Sequence, residues 1–282
     1  MARSVLVTGA NSGIGRATAL ELAAAGYAVV GTVRSEDKAA TLQAEAGRRG
    51  VTVSTVLGDV ADADDCARMV AEAGVRTDSR LWALVNNAGY AQAGAVEDVD
   101  DDAVRAQLEV NLVAPMRLAR LVHPGMREAG GGRIVNVSSL AGRASSPMAG
   151  WYAASKHGLE AVTDALRVEV DGMGVRVVLV EPGGFGTGIW GEARVPEAPA
   201  HPSYAAAYAR SRSVTGRGSS LLPDPVWVAR VVRIALASPL PLARYLVGAD
   251  AVGAVLGEKL LPTLVTDYVK GLASGLRRLP GR

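Results

Sequence analysis

The chain has 282 residues, of which 49% are hydrophobic and 4% aromatic, and its 30 basic and 28 acidic residues leave a formal charge of +2. This balance provides no broad cationic face for a phosphate backbone, so we expect no nucleic acid partner. The sequence shows neither a signal peptide nor an apolar run of about 18 residues, so we expect no integral membrane segment. Cys66 is the single cysteine, which excludes an intramolecular disulfide and favours a cytoplasmic location.

Short β-branched runs alternate with Ala-rich segments of helical periodicity along most of the chain. The strand candidates are SVLVT, YAVVGTV, VTVSTVL, LWALVN, RIVNVS and VRVVLVE. This alternation indicates repeated βαβ units, which build a doubly wound parallel α/β sheet with helices on both faces. Such sheets bind ligands beyond the carboxyl ends of their strands, so we expect the functional residues there.

A glycine-rich turn, TGANSGIG, follows the first strand and leads directly into a helical run. Its glycines permit a tight turn and a close approach of the backbone, and the helix start offers free amide groups to a pyrophosphate. This position between strand and helix predicts a dinucleotide site, whereas the alternative is a tight turn without a ligand. The candidate contacts are Gly9, Asn11, Ser12, Gly13, Ile14 and Gly15.

The second strand ends in Val33-Arg34-Ser35, where a dinucleotide site usually recognises the adenosine ribose. An acidic residue at the position of Val33 would repel a 2′-phosphate. Arg34 can instead bind a 2′-phosphate through charge-assisted hydrogen bonds, helped by Ser35. The sequence therefore favours NADP (NADPH), with NAD as the other candidate, unless Arg34 is only a solvated arginine at a helix start.

Two further strand ends carry candidate cofactor contacts. Asp59-Val60 ends the third strand, where the carboxylate can accept from an adenine amino group and the next amide can donate to a ring nitrogen. Alternatively, Asp59 is a helix cap. The fourth strand closes with two amides and two small residues, which we interpret first as structural and second as cofactor-lining: Asn86, Asn87, Ala88 and Gly89.

Tyr152 and Lys156 lie four residues apart in a segment of helical periodicity, so both side chains project from one face. A phenol is a poor base near neutrality, but a nearby ammonium stabilises the phenolate and lowers its pKa. The fifth strand ends at Ser138 and Ser139, and the Ser139 hydroxyl can hydrogen-bond a substrate carbonyl. Ser138 is the weaker candidate.

Asn111 is a polar amide within the long helical run from Asp101 to Glu128. It can bond the backbone and hold a water molecule that feeds protons to Lys156. Alternatively, it only relieves a helix irregularity before Pro115.

The segment PGGFGT follows the sixth strand and can bring backbone amides and a hydroxyl to a nicotinamide carboxamide. Its candidate contacts are Pro182, Gly183, Phe185 and Thr187. The regular alternation then ends, and we interpret residues 188–222 as a substrate lid with a short helix near Tyr204 to Arg210, although a disordered excursion is the alternative. A moderately hydrophobic substrate is indicated by Ile189, Trp190, Tyr204 and Tyr208.

Beyond the lid, the sequence predicts a helix in PVWVARVVRIALASP, a last strand in ARYLVG, and a terminal helix over residues 251–278 interrupted at Pro262. The extension over residues 251–282 can cap the core, pair subunits or touch a membrane surface. We favour capping or pairing, because its basic residues are few before Arg277 and Arg278.

Taken in order, TGANSGIG, NNAG, Asn111, Ser139, Tyr152-x-x-x-Lys156 and PGGFGT resemble the short-chain dehydrogenase/reductase family over residues 3–187. The resemblance implies one Rossmann-like domain over residues 1–282, with about seven strands in the order 3-2-1-4-5-6-7. It also implies a homodimer or homotetramer. RYLVGADA and Arg34 resemble the NADP-preferring, hydroxysteroid-dehydrogenase-like branch.

By this resemblance, Tyr152 is the acid/base, Lys156 binds ribose and tunes Tyr152, Ser139 orients the carbonyl or alcohol, and Asn111 completes the proton relay. The expected reaction is reversible reduction of a small-molecule carbonyl or oxidation of an alcohol, with a bias toward NADPH-dependent reduction. The alternatives are redox-neutral epimerisation or elimination on the same scaffold, and a nucleotide-binding regulator without catalysis. We expect no metal, because the histidines lack ligand spacing, and no hydrolase, because GxSxG is absent.

Overall fold

The computed structural model describes residues 2–77, 80–187, 189, 193–196, 199–216 and 222–277. Trp190 and Arg278 lie outside these described residues. Within them, parallel strands form one seven-stranded sheet in the order β3-β2-β1-β4-β5-β6-β7, which confirms the predicted fold class and strand order. The strands are β1 Ser4–Val7, β2 Ala28–Val33, β3 Ser54–Leu57, β4 Ala83–Asn86, β5 Gly132–Val137, β6 Val175–Pro182 and β7 Arg244–Val247.

Helices lie on both faces of the sheet, and two further helices follow the last strand. They are α1 Gly13–Ala24, α2 Glu36–Arg48, α3 Ala63–Arg76, α4 Asp101–Leu108, α5 Ala114–Glu128, α6 Gly150–Glu169, α7 Ala205–Gly216, α8 Val226–Ala237, α9 Ala249–Leu260 and α10 Thr263–Ser274. No helix in these described segments is long and apolar enough to cross a bilayer.

The hydrophobic core has two layers because side chains alternate across each strand. Along β1, Val5 and Val7 join the layer formed with α1, α2 and α8, whereas Leu6 joins the layer formed with α3 and α5. Both layers are rich in Val, Leu and Ala, whose small or branched side chains let helices pack closely on the sheet. The two core layers therefore fix the positions of the carboxyl ends of the strands.

Two helical predictions differ in detail from the structure, and a third agrees with it. The run from Asp101 to Glu128 is interrupted by a π-helical turn at Glu109–Val113. The helix expected near Tyr204 to Arg210 begins as a 3₁₀ turn at Pro202–Tyr204 and continues as α7 to Gly216. The terminal helix breaks into α9 and α10 at Pro262, as predicted, because proline lacks the N–H needed inside a helix.

Candidate active site

The carboxyl ends of β1 to β6 border one cavity of about 750 Å³, a size typical of cofactor and substrate sites. Most predicted contacts line it. They are Gly9, Asn11, Ser12, Gly13, Ile14, Arg34, Asp59, Val60, Asn87, Ala88, Gly89, Ser139, Tyr152, Lys156, Pro182, Gly183, Phe185 and Thr187. The predicted residues outside this lining are Gly15, Ser35 and Asn111.

The turn after β1 adopts a shape that requires glycine. Gly9 and Gly13 have φ angles of +64° and +51°, in the left-handed region that glycine favours. A Cβ on Gly15 would lie 2.2 Å from the Gly9 carbonyl oxygen, so Gly15 lets α1 pack against the turn instead of lining the cavity. The Ser12 hydroxyl does not cap α1, which leaves the first amides of the helix for an anion. This cradle fits the pyrophosphate of a dinucleotide.

The amides of the fourth strand tie the sheet together beside this turn. Asn87 Nδ2 donates to the Thr8 carbonyl oxygen at 2.9 Å, and Asn86 Nδ2 donates to Asn136 Oδ1 at 2.8 Å. Asn87 also lines the cavity together with Ala88. The structural interpretation of this segment therefore agrees with the contacts, and its contact with a cofactor stays a prediction.

The end of β2 presents two cations to the cavity. Arg34 lines it, as does Lys38, which lies four residues later in the first turn of α2. Sequence reasoning missed Lys38, which comes to the cavity only through the way α2 starts after β2. Ser35 is the N-cap residue of α2 and does not line the cavity. No acidic residue stands at the strand end, where Val33 is buried.

Asp59 lies at the end of β3 and faces the cavity. Its Oδ1 accepts from the Ala61 amide at 3.0 Å. The alternative that Asp59 caps α3 is wrong, because Asp62 occupies the N-cap and accepts from the Asp65 amide at 2.9 Å.

Ser139, Tyr152 and Lys156 meet at one wall of the cavity. A side-chain hydrogen bond joins Tyr152 to Ser139. Burial raises the pKa of Tyr152 above its usual value, and the bond to Ser139 opposes this rise. Burial lowers the pKa of Lys156 to about 8, against the attraction of Glu160. The wall therefore carries a protonated phenol beside an ammonium that is still charged at neutral pH.

Asn111 is fully buried in the π-helical turn between α4 and α5. Its Nδ2 donates to the Tyr90 carbonyl oxygen at 3.0 Å and to Ser155 Oγ at 3.1 Å, and its Oδ1 accepts from the Tyr90 amide at 3.2 Å. The helix irregularity before Pro115 is therefore present, and the amide also bonds the backbone. The water relay to Lys156 stays a prediction.

The segment after β6 covers one side of the cavity. A Cβ on Gly13 would meet the Thr187 side chain and carbonyl oxygen at 3.1 Å, so this segment closes directly over the glycine turn. Asp250, at the start of α9, accepts from the Gly184 amide at 2.6 Å. Sequence reasoning missed this role of Asp250, although Asp250 lies within RYLVGADA, part of the family resemblance.

Within the described part of the predicted lid, Ile189 and Arg194 line the cavity, whereas Tyr204 and Tyr208 do not. The Arg194 guanidinium lies 4.8 Å from the ring centroid of Tyr90, another lining residue that sequence reasoning missed. No sequence signal pointed to this pair, because Arg194 reaches Tyr90 only through the folded lid.

Comparison with known proteins agrees with this geometry. Residues 3–198 match the family described as short chain dehydrogenase. The chain belongs to this family. It is 31% identical over 261 residues to the uncharacterized oxidoreductase YusZ of Bacillus subtilis, covering 91% of this chain and 93% of that protein. The chain is accordingly a member of a family of NAD(P)-dependent enzymes that act on CH–OH and C=O groups.

Two solved structures of the family match with their cofactors. A metagenomic short-chain oxidoreductase in complex with NADP has a TM-score of 0.69 and 28% identity, covering 87% of this chain and 96% of that chain. A short-chain dehydrogenase/reductase from Burkholderia phymatum in complex with NAD has a TM-score of 0.80 and 25% identity, covering 95% of both chains. Structures similar to this chain thus bind NADP in one case and NAD in the other. Membership of the hydroxysteroid-dehydrogenase-like branch stays a prediction.

Proposed function

We propose that this protein is an NADPH-dependent reductase of a small, moderately hydrophobic carbonyl compound, with Tyr152 as the proton donor. The observation that carries the proposal is that Ser139, Tyr152 and Lys156 line the same cavity as the glycine turn. A proton donor, a carbonyl anchor and a dinucleotide cradle then share one cavity, as hydride transfer to a carbonyl requires.

The protonation states favour the reductive direction. Tyr152 is protonated at neutral pH, because burial raises its pKa, so it can give a proton to a substrate oxygen. Lys156 carries a positive charge below about pH 8, and this charge stabilises the phenolate that remains. The Ser139 hydroxyl holds the carbonyl oxygen beside Tyr152. A bound nicotinamide supplies the hydride.

Asn111 is the residue through which we propose that Tyr152 regains its proton. It bonds Ser155, which itself donates to the Tyr152 carbonyl oxygen at 2.7 Å, so the amide is fixed against the helix that carries Lys156. A water molecule held there would feed protons to Lys156.

The cofactor preference is the finer part of the proposal. Arg34 and Lys38 both border the adenosine end of the cavity, where two cations favour a 2′-phosphate. The buried Val33 provides no carboxylate to bind the ribose hydroxyls of NAD.

We also propose a cytoplasmic homo-oligomer, a dimer or a tetramer. Cys66 is buried and free, which fits a reducing compartment. Large apolar side chains are exposed on and beside α8, including Trp227 at 57%, Ile234 at 50% and Leu240 at 78% of their surface. Such a surface fits contact with a second copy.

The proposal is tested by following nicotinamide absorbance with cyclohexanone, acetophenone, ethyl acetoacetate and decanal, each with NADPH and with NADH. We expect net oxidation of NADPH with at least one of these carbonyls. Tyr152→Phe should abolish turnover and keep NADPH binding, whereas the exposed Tyr268→Phe should change neither. Turnover by Tyr152→Phe would refute the mechanism, and product formation without net NADPH oxidation would favour redox-neutral chemistry.

A further inference from the structure

A cluster of charged side chains lies beside the cavity without lining it. We call it the ionic cluster, and its members are Arg143, Glu160, Asp164, Glu181 and Arg244. The reaction outlined above gives this cluster no part. Burial of a charged group costs hydration free energy. A role in surface solubility therefore does not account for a cluster whose central carboxylate is buried.

Glu181 is the centre of the ionic cluster. Only 2% of its side chain is exposed. Its Oε1 lies 3.4 Å from Arg143 Nη1 and 3.1 Å from Arg244 Nε. Arg244 Nε also lies 3.1 Å from Glu160 Oε2, and Arg244 pairs with Asp164. Asp164 in turn pairs with Arg167 on α6. One buried carboxylate thus joins cations from two separate elements.

The elements joined in this way are those that carry the reacting groups. Arg143 directly follows the 3₁₀ turn Leu140–Gly142, whose Ala141 amide donates to Ser139 Oγ at 3.1 Å. Glu160 lies one helical turn beyond Lys156 on α6. Glu181 immediately precedes Pro182 and the segment at the nicotinamide end of the cavity. The ionic cluster therefore links the serine turn, the tyrosine helix and the end of β6.

The serine turn also packs directly against α6 at the ionic cluster. A Cβ on Gly142 would lie 3.0 Å from Glu160 Cγ and 2.7 Å from Ser138 Oγ, so no side chain fits between turn and helix. A shift of Glu160 or Arg143 would therefore be passed to the neighbouring Ser139. Reactions that depend on aligned groups lose about 100-fold in rate for a misplacement of about 1 Å.

We propose that Glu181 is a positioning residue for the reaction. Through Arg143 it fixes the turn that carries Ser139, and through Arg244 it fixes α6, so that Ser139 and Tyr152 meet the same carbonyl oxygen. This inference rests on the proposed carbonyl reduction. Glu181 is thereby given a role in aligning the reacting groups, in addition to the stability that any buried ion pair can provide.

The test uses Glu181→Gln at pH 8. Burial and the neighbouring Glu160 raise the pKa of Glu181 to about 7, so the wild-type carboxylate is ionised at this pH, and the substitution keeps the shape of the side chain and removes its charge. Hydride transfer is measured in a single turnover, with saturating NADPH and the carbonyl of the panel above that reacts fastest. We expect the transfer rate to fall at least tenfold while the Kd for NADPH changes less than twofold. A role in stability alone would lower the melting temperature and leave this rate unchanged in the folded protein.

Glu21→Gln is the matched control. Glu21 on α1 lies 2.8 Å from Arg233 on α8, a partly buried pair that does not line the cavity. Its loss should lower stability without changing the rate of hydride transfer. A Glu181→Gln rate within twofold of the wild-type rate would overturn the inference and leave the proposed function intact.

Arg143→Gln provides a second route if Glu181→Gln does not fold. The variant cuts only the link to the serine turn, because the Glu181 carboxylate keeps its ion pair with Arg244. The same loss of rate with unchanged NADPH binding is expected, and a wild-type rate would overturn the inference. A wild-type protein that transfers hydride to no carbonyl would overturn the proposed function and the inference together.

Discussion

Lys156 Nζ donates a hydrogen bond to the Val137 carbonyl oxygen, 3.0 Å away. Val137 is the last residue of β5, so this bond ties the helix of Tyr152 to the strand that leads to Ser139. The ammonium is nevertheless buried, and this burial lowers the pKa of Lys156 to about 8 from its usual 10.5. The side chain that we propose to tune Tyr152 therefore also destabilises the cofactor-free fold.

We predict that Lys156→Met abolishes turnover and raises the free energy of unfolding at pH 7 by about 1–2 kcal/mol. A lowered pKa means that the unfolded chain binds more protons, so the lysine costs roughly 3 kcal/mol below pH 8. Loss of the hydrogen bond to the Val137 carbonyl oxygen reduces this gain in stability by about 1 kcal/mol. Wild-type stability should rise between pH 8 and 10.5, so the difference in free energy of unfolding between Lys156→Met and wild type becomes smaller over this range.

Urea denaturation of the cofactor-free protein at pH 7 and pH 10 measures this effect. The exposed Lys259→Met serves as control and should stay within about 0.5 kcal/mol of wild type. A Lys156→Met variant less stable than wild type at pH 7 would contradict the prediction.

Gly15→Ala should disrupt the dinucleotide cradle. The added Cβ would lie 2.2 Å from the Gly9 carbonyl oxygen and 2.4 Å from Asn87 Nδ2, so the turn after β1 must move. We expect NADPH affinity to fall at least tenfold and stability to fall by about 1–3 kcal/mol, measured by fluorescence titration and urea denaturation. Gly47→Ala in α2 is the control, since a Cβ there meets nothing within 4 Å. It should stabilise the protein by about 0.5–1 kcal/mol, and equal effects of the two variants would refute this account.

The fold was predictable because the buried strands have a strong sequence pattern, and their order followed from the family resemblance. Most of the cavity lining was predictable for a related reason: residues just beyond parallel strands must meet at one edge. Lys38 and Arg194 were missed because their contribution depends on how a helix starts and how the lid folds. Tyr90 was missed because the prediction for the end of β4 stopped at Gly89. Glu181 was missed because a single acidic residue inside a strand shows its partners only after folding.

Arg34→Ala should change the cofactor preference. Removal of its charge-assisted hydrogen bonds to a 2′-phosphate, worth about 1.5–3 kcal/mol, lowers NADPH affinity by roughly 10- to 100-fold. NADH affinity should hardly change, because NADH lacks this phosphate. Fluorescence titration of both cofactors measures the ratio, with the exposed Arg48→Ala at the far end of α2 as control. An unchanged ratio of NADPH to NADH affinity in Arg34→Ala would refute the assignment of Arg34 to the 2′-phosphate.

Tyr208→Phe should loosen α7 from the rest of the domain. The buried Tyr208 hydroxyl donates to Asp98 Oδ2 at 2.7 Å and accepts from the Ala95 amide at 3.2 Å. Burial raises the pKa of Tyr208 to about 12, so it remains protonated and this attachment persists throughout the pH range of an assay. Without the hydroxyl, the buried Ala95 amide loses its partner, which costs about 1–3 kcal/mol.

Hydrogen exchange of residues 205–216 measures this loosening, and we expect their protection in Tyr208→Phe to fall by roughly 5- to 100-fold for that cost. Tyr204→Phe is the control, because its hydroxyl donates to Glu97 Oε1 in an exposed bond. Exposed bonds contribute at most about 1 kcal/mol, so this variant should change protection by less than fivefold. If α7 is protected equally in the two variants, its attachment does not depend on Tyr208. If the KM for the carbonyl also rises only in Tyr208→Phe, this attachment contributes to holding the substrate.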